Sequence, residues 1–164
     1  MPGYVVMVVE IPQGSRNKYE VDNETGEIFL DRRLFTATHY PADYGFIPDT
    51  LADDGDPLDI LCLTEEPTFP GCRIRVRPVG VFLMEDQGAG DHKLIGVPAG
   101  DPRFDGVTEI EDVSPHLRRE LDHFFRVYKE LEGKPTEVLG WQGAGEAWKS
   151  INEARNAYQS GSVG

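Results

Sequence analysis

Basic residues are scarce in this chain of 164 residues: 16 Lys and Arg stand against 29 Asp and Glu, a formal net charge of −13. A nucleic-acid-binding surface needs a basic face, and this balance argues against one. An anionic substrate would be repelled as well, unless metal ions reversed the potential locally. Cysteine is equally sparse. Cys62 and Cys72 are the only two, too few for a disulfide framework. Their apolar surroundings ("ILCL", "GCRIRV") predict buried free thiols and a cytoplasmic location. No apolar run approaches the length of a membrane span. The N-terminal "MPGYVVMVVEIP" has no basic segment ahead of its apolar run and no small-residue cleavage site, so it reads as a first strand and not as a signal peptide. Internal repeats, long linkers and low-complexity tracts are missing too. One domain over residues 1–164 is expected, with a tail at about 160–164 ("SGSVG") that frays.

What is present reads mainly as β-structure. Residues 4–11 ("YVVMVVEI") predict a buried strand, and "PQGSRN" a turn. "KYEVD" alternates, placing Lys18 and Glu20 on one face and Tyr19 and Val21 on the other. "NETG" is a hairpin turn, and "EIFLDRRLF" continues as a strand. "TATHYPADYGFIPDT" reads as an ordered loop with one short strand. "LDILCLTE", "CRIRVRPVGVFLME" and "KLIGVPA" are strand-like, the last two separated by the Gly-rich turn "DQGAGDH". The fold class is α+β, mainly antiparallel sheet curled into a barrel. Helices come late. Ser114 and Pro115 make an N-cap and N1 pair. An apolar face follows at Leu117, Leu121, Phe124, Tyr128 and Leu131, with Gly133 as the stop. A last helix is predicted over roughly 144–159, with Ala147, Trp148, Ile151, Ala154 and Tyr158 on one side. Trp141 and Trp148 suit either an interface or a cap on the core.

Carboxylates crowd together in "LADDGDPLDIL". Asp53, Asp54, Asp56 and Asp59 fall within seven positions, beside Leu58, Ile60 and Leu61, which need an apolar home. Two unit charges about 5 Å apart repel by roughly 3 kcal/mol at an effective dielectric near 20. A partly buried cluster of this kind calls for a cation. Oxygen donors without His or Cys suit a hard ion, Mg²⁺ or Ca²⁺. An EF-hand fails here. With Gly55 at its sixth position, the third and twelfth would be Ala52 and Leu61, which cannot ligate. Asp86 and Asp91 flank a second, Gly-rich acidic turn, and Glu10 follows the apolar run of the first strand. Each of these taken alone reads as an ordinary solvated group. Together they let three segments supply carboxylates to two or more metal ions, which clamp phosphoryl oxygens and activate water.

A metal–phosphate site also needs groups for the oxygens that the metals do not hold. Lys18, Arg32, Lys93 and Lys129 are candidate cations, with Tyr40, Tyr44 and Tyr128 as hydroxyl donors. Surface charge would explain each lysine singly, and core packing each tyrosine.

At this point "DDGDPLDI" resembles the signature of the soluble family I inorganic pyrophosphatases: Asp, a small residue, Asp, Pro, an aliphatic residue, Asp, an aliphatic residue. Asp54-Gly55-Asp56-Pro57-Leu58-Asp59-Ile60 meets it at every position. "VVEIPQGSRNKYEVD", "LDRRLFTATHYPADYGFIPDTL", "PGCRIRVRPVGVFLMEDQGAGDHKLIGVP" and "HFFRVYKELEGK" look like the family's other blocks, in the family's order. The resemblance covers roughly residues 4–135, and the last thirty residues match only as a helix. It implies a five-stranded OB-like barrel with two flanking C-terminal helices, and Mg²⁺-dependent hydrolysis of pyrophosphate to two phosphates, with Mn²⁺ or Zn²⁺ as substitute ions. By motif position, Asp54, Asp59 and Asp91 would hold the first metal, with Asp59 bridging to the second. Asp86 and Asp91 would hold a metal arriving with substrate, and Glu10 and Glu20 would complete the metal side. Lys18, Arg32, Tyr44, Tyr128 and Lys129 would grip the phosphates, with Lys93 and Tyr40 beside them. Asp56 would be the base for the water, with Asp91 as the alternative assignment. A bacterial-type homohexamer is also implied, with no nucleic-acid or membrane partner.

Three points stay open. Arg33 follows Arg32, and strand facing decides which reaches phosphate, motif position favouring Arg32. His39 and His92 read either as exposed loop residues or as modulators of the site. Two rival functions remain: a hydrolase of another phosphoanhydride, and a non-catalytic OB-type module that binds divalent ions.

Overall fold

Five strands close on themselves in a ring. The computed structural model describes residues 3–163. In chain order its strands are β1 (Val5–Ile11), β2 (Asn17–Val21), β3 (Ile28–Arg33), β4 (Asp43–Ile47), β5 (Leu58–Cys62), β6 (Arg73–Asp86), β7 (Ala89–Gly90) and β8 (Lys93–Pro98). Helix α1 (Pro115–Val127), β9 (Thr136–Gly143) and helix α2 (Ala144–Val163) complete the chain. The ring runs β1–β4–β5–β8–β6 and back to β1. This is the OB-like arrangement expected, with one correction: β5 and β8 pair in parallel, not antiparallel. The β2–β3 hairpin forms a sheet of its own outside the ring.

Local chemistry explains the closure. β1 is buried at Val5, Met7, Val8, Val9 and Ile11, as expected of a β-branched run enclosed on both faces. β4 passes so close to β1 that a Cβ at Gly45 would lie 1.9 Å from the Val8 carbonyl oxygen. Gly45→Ala is therefore expected to cost about 2 kcal/mol or more in urea unfolding; an unchanged midpoint would show that β1 and β4 can separate without loss.

Two apolar clusters fill the interior. One joins Tyr40, Leu61, Phe82 and Ile95 to Leu121, Phe124, Phe125 and Tyr128 from the α1 segment. The other joins Val5, Met7, Ile60 and Val76 to Ala147, Ile151 and Ala154 of α2. Among the described residues, no helix is long and apolar enough to cross a membrane.

Several expectations are corrected. No element is expected from the sequence at residues 136–143, yet they form β9 along the far half of β6. Trp141 there packs on Phe82 with ring centroids 4.7 Å apart, and Trp148 packs on the second cluster, so both serve the core. Helix α1 ends at Val127, and Leu131 lies beyond it, 67% exposed, because a separate single turn at Glu130–Glu132 carries it away from the apolar face. Helix α2 continues to Val163 instead of ending near 159, and Gly164 lies outside the described residues. Cys62 is a buried free thiol, whereas Cys72 is free but only half-buried.

Candidate active site

The loop between β4 and β5 is built to present carboxylates. Thr50, 2% exposed, holds it at both ends: its hydroxyl donates to the Ile47 carbonyl at 2.5 Å and accepts from the Leu58 amide at 2.9 Å. The Leu51 amide donates to the Ala154 carbonyl of α2 at 3.0 Å. Within the loop the Ala52 amide reaches the Asp56 carbonyl at 2.8 Å, and the Asp56 amide reaches Asp54 Oδ1 at 2.9 Å. Gly55 takes φ +89°, a left-handed conformation that suits glycine. Buried Leu58 and Ile60 anchor the following strand.

Asp54, Asp56 and Asp59 thereby line one cleft of about 410 Å³. Glu10 enters it from β1, and Lys18 and Glu20 from β2. Tyr40, Tyr44, Asp86, Asp91 and Lys93 line it as well, as do Tyr128 and Lys129 just past the end of α1. Of the residues expected from sequence, only Arg32 does not line this cleft. Its guanidinium is paired with Asp31 and with Glu132 Oε1, the latter at 3.0 Å. Arg33 is exposed on the other side of the strand. Asp53, His39 and His92 are exposed and outside the cleft wall.

The cations already sit among the carboxylates. Lys93, 2% exposed, faces Asp59 because β5 and β8 pair these two residues in register. Its Nζ lies 3.1 Å from Asp59 Oδ2, 3.1 Å from Asp91 Oδ2 and 2.9 Å from the Tyr44 hydroxyl. Burial opposes its charge, but Tyr44, Asp59 and Asp91 outweigh it and hold the ammonium well above its ordinary pKa. Lys129 pairs with Asp86. Lys18 lies 3.2 Å from Asp31 and 3.4 Å from Glu20.

The acids feel the crowding. Burial raises the Glu10 carboxyl to about 7, against the pull of the Val21 amide, which donates to it at 3.0 Å. Burial also raises Asp56, with Asp54, Glu20 and Asp91 adding to the rise. Asp91 is raised by burial and held back by Lys93. The Tyr40, Tyr44 and Tyr128 hydroxyls are pushed up by burial, so they remain protonated donors.

The donor set fits a hard divalent ion: every acidic side chain on the wall is a carboxylate, and no His or Cys joins them. Among the described residues no three such groups already converge on one point. Lys93 pairs with Asp59 and Asp91 and Lys129 with Asp86, which leaves the wall with more carboxylates than ammonium groups.

The family model for inorganic pyrophosphatase matches residues 7–159. The chain belongs to the inorganic pyrophosphatase family. The match runs past residue 135, where the resemblance of the sequence blocks ends, through β9 and most of α2. An inorganic pyrophosphatase of Streptomyces coelicolor is 54% identical over 154 residues, 93% of this chain and 94% of its own. The crystal structure of inorganic pyrophosphatase from Thermus thermophilus superposes with a TM-score of 0.92 at 48% identity, covering 96% of this chain and 92% of that one. The enzyme from Helicobacter pylori gives 0.93 at 42%, covering 95% and 94%.

Sequence reasoning missed two groups near this pyrophosphatase cleft. Asp31 bridges Lys18 and Arg32, and Glu132 holds Arg32 from the α1 side. Asp31 had a usable signal, since it lies one residue before a candidate phosphate ligand. Glu132 had none, because its partner is a hundred residues away.

Proposed function

We propose that this chain hydrolyses inorganic pyrophosphate to two phosphates, using divalent metal ions held in the cleft. The observation that carries the reading is the pairing of two sets of groups across one space. Asp54, Asp56, Asp59 and Asp91 face Lys18, Lys129, Tyr44 and Tyr128, in a chain of net charge −13. Only bound cations would let such a site attract an anion. Asp54, Asp59 and Asp91 would hold one ion, with Asp59 shared to a second. Asp86 and Asp91 would take another, with Glu10 and Glu20 completing the set. Hard oxygen donors favour Mg²⁺. When bound, the ions lower the pKa of a water toward neutrality. Asp56 lines the cleft and would take the proton of the attacking water, with Asp91 as the alternative acceptor. Lys18, Lys129, Tyr44 and Tyr128 hold phosphate oxygens and stabilise charge growing on the leaving group.

The same proposal includes the cytoplasm, which the two free thiols suit, and a homohexamer. Exposed Ile28, Phe29, Leu30, Phe35 and Phe69 offer apolar surface for self-association. Phosphate release from pyrophosphate and from ATP, each with Mg²⁺ and with EDTA, tests the activity. Release from pyrophosphate only with metal is expected, and metal-dependent release from ATP alone would overturn it. Asp56→Asn should lose about 10²-fold or more in kcat while keeping its circular dichroism spectrum. A fully active variant would remove Asp56 from the proton transfer.

A further inference from the structure

We propose that Glu132 is a positioning residue for Arg32, anchoring its guanidinium beside the cleft so that it can meet a phosphate. This rests on the functional reading above, which supplies the phosphate. Lys18 and Arg32 are opposite each other in the β2–β3 ladder, so their side chains leave the same face of the hairpin. Lys18 lines the cleft, whereas the Arg32 guanidinium is turned aside, to Asp31 and Glu132. Glu132 sits on the single turn that follows Tyr128 and Lys129, a turn ended by Gly133 at φ +70°. Its side chain is 4% exposed and Arg32's is 23% exposed.

The contact between them is half-made. Arg32 Nη2 and Glu132 Oε1 are 3.0 Å apart, but Arg32 Nε and Glu132 Oε2 are both buried without a hydrogen-bond partner. These are the two atoms that a side-on, two-bond guanidinium–carboxylate pair would join. Buried polar atoms are rarely left this way. Closing the second bond commits Nε and Nη2 to Glu132 and leaves the other edge of the guanidinium, at Nη1, for another acceptor. Asp31 occupies that edge now, and it also accepts from Lys18. An incoming phosphate therefore competes with Asp31 for two cations at once, while buried Glu132 stays as the fixed anchor. Because Glu132 belongs to the α1 end and Arg32 to the hairpin, the pair also ties two walls of the cleft together.

Initial-rate kinetics on wild type, Glu132→Gln, Arg32→Gln and the double variant, with melting curves alongside, test this. Glu132→Gln is expected to raise KM for pyrophosphate about tenfold, the scale of one charge-assisted hydrogen bond, with a smaller change in kcat. In the Arg32→Gln background the same change should have no further effect on KM. Should Glu132→Gln fold poorly, Glu132→Asp keeps the charge but shortens the reach, and it should raise KM as well. An unmoved KM, or a full effect that persists without Arg32, overturns the role of Glu132. A wild type releasing no phosphate from pyrophosphate overturns the functional reading, and this role with it.

Discussion

Lys93→Met is expected to cost the metal-free protein about 3–5 kcal/mol at neutral pH, because it removes one member of a buried ion cluster and strands the rest. Among the described residues, Lys93 is the only ammonium paired with both Asp59 and Asp91, and it also takes the Tyr44 hydroxyl. Met fills much of the same volume against the Tyr44 and Phe125 rings, so the loss is electrostatic more than steric. Its pH dependence follows. Lys93 holds down the Asp91 pKa, which burial raises. Without Lys93 that pKa climbs further, so the penalty applies where Asp91 must be ionised. It should fade as pH falls through the folded-state pKa of Asp91 and the carboxyl protonates. Melting curves from pH 4 to 8 should show the gap between variant and wild type widening with pH. Added Mg²⁺ should raise the variant's Tm more than the wild type's, since the freed carboxylates gain a cation. Equal Mg²⁺ responses would mean that Asp59 and Asp91 do not hold the metal.

Glu10→Gln should do the opposite: stabilise the metal-free protein while removing activity. The Glu10 carboxyl is raised from 4.5 to about 7 by burial. An acid whose folded pKa is raised costs nothing below its unfolded value, where both states are protonated. The cost grows between about 4.5 and 7 and is complete above that window. The difference is on the order of 3 kcal/mol as an upper bound, since the site is only partly enclosed. Gln cannot ionise, and its side-chain oxygen can still accept from the Val21 amide. In EDTA the variant should therefore match wild type near pH 4 and melt higher above pH 7. With Mg²⁺ the advantage should shrink, and turnover should fall because the proposed metal set loses a carboxylate. A variant that is both fully active and no more stable would remove Glu10 from the metal set.

The chemistry was legible in the sequence where it is contiguous. Asp54, Asp56 and Asp59 share seven positions with residues that must be buried, and that conflict between charge and core exposes them. Tyr128 was legible as part of an apolar helix face, which packing alone would explain, and Lys129 as its neighbour in sequence. Three features were hidden because they depend on partners distant in sequence. β9 has only Val138 and Trp141 packed against the core, and Leu139 is half exposed, so its strand character comes mainly from pairing with β6. The parallel register of β5 and β8 cannot be read from either strand alone. The orientation of Arg32 depends on Glu132, with no local pattern to announce it.

The parallel pairing also has a kinetic meaning. Asp59 and Lys93 are 34 residues apart, and they meet only when β5 and β8 align. Contacts of long sequence separation form late, because the chain must surrender loop entropy before it gains them. Pairing of β5 with β8 and the meeting of Lys93 with Asp59 are thus a single event. Before it, Asp59 lacks the ammonium that lies 3.1 Å from it in the folded chain.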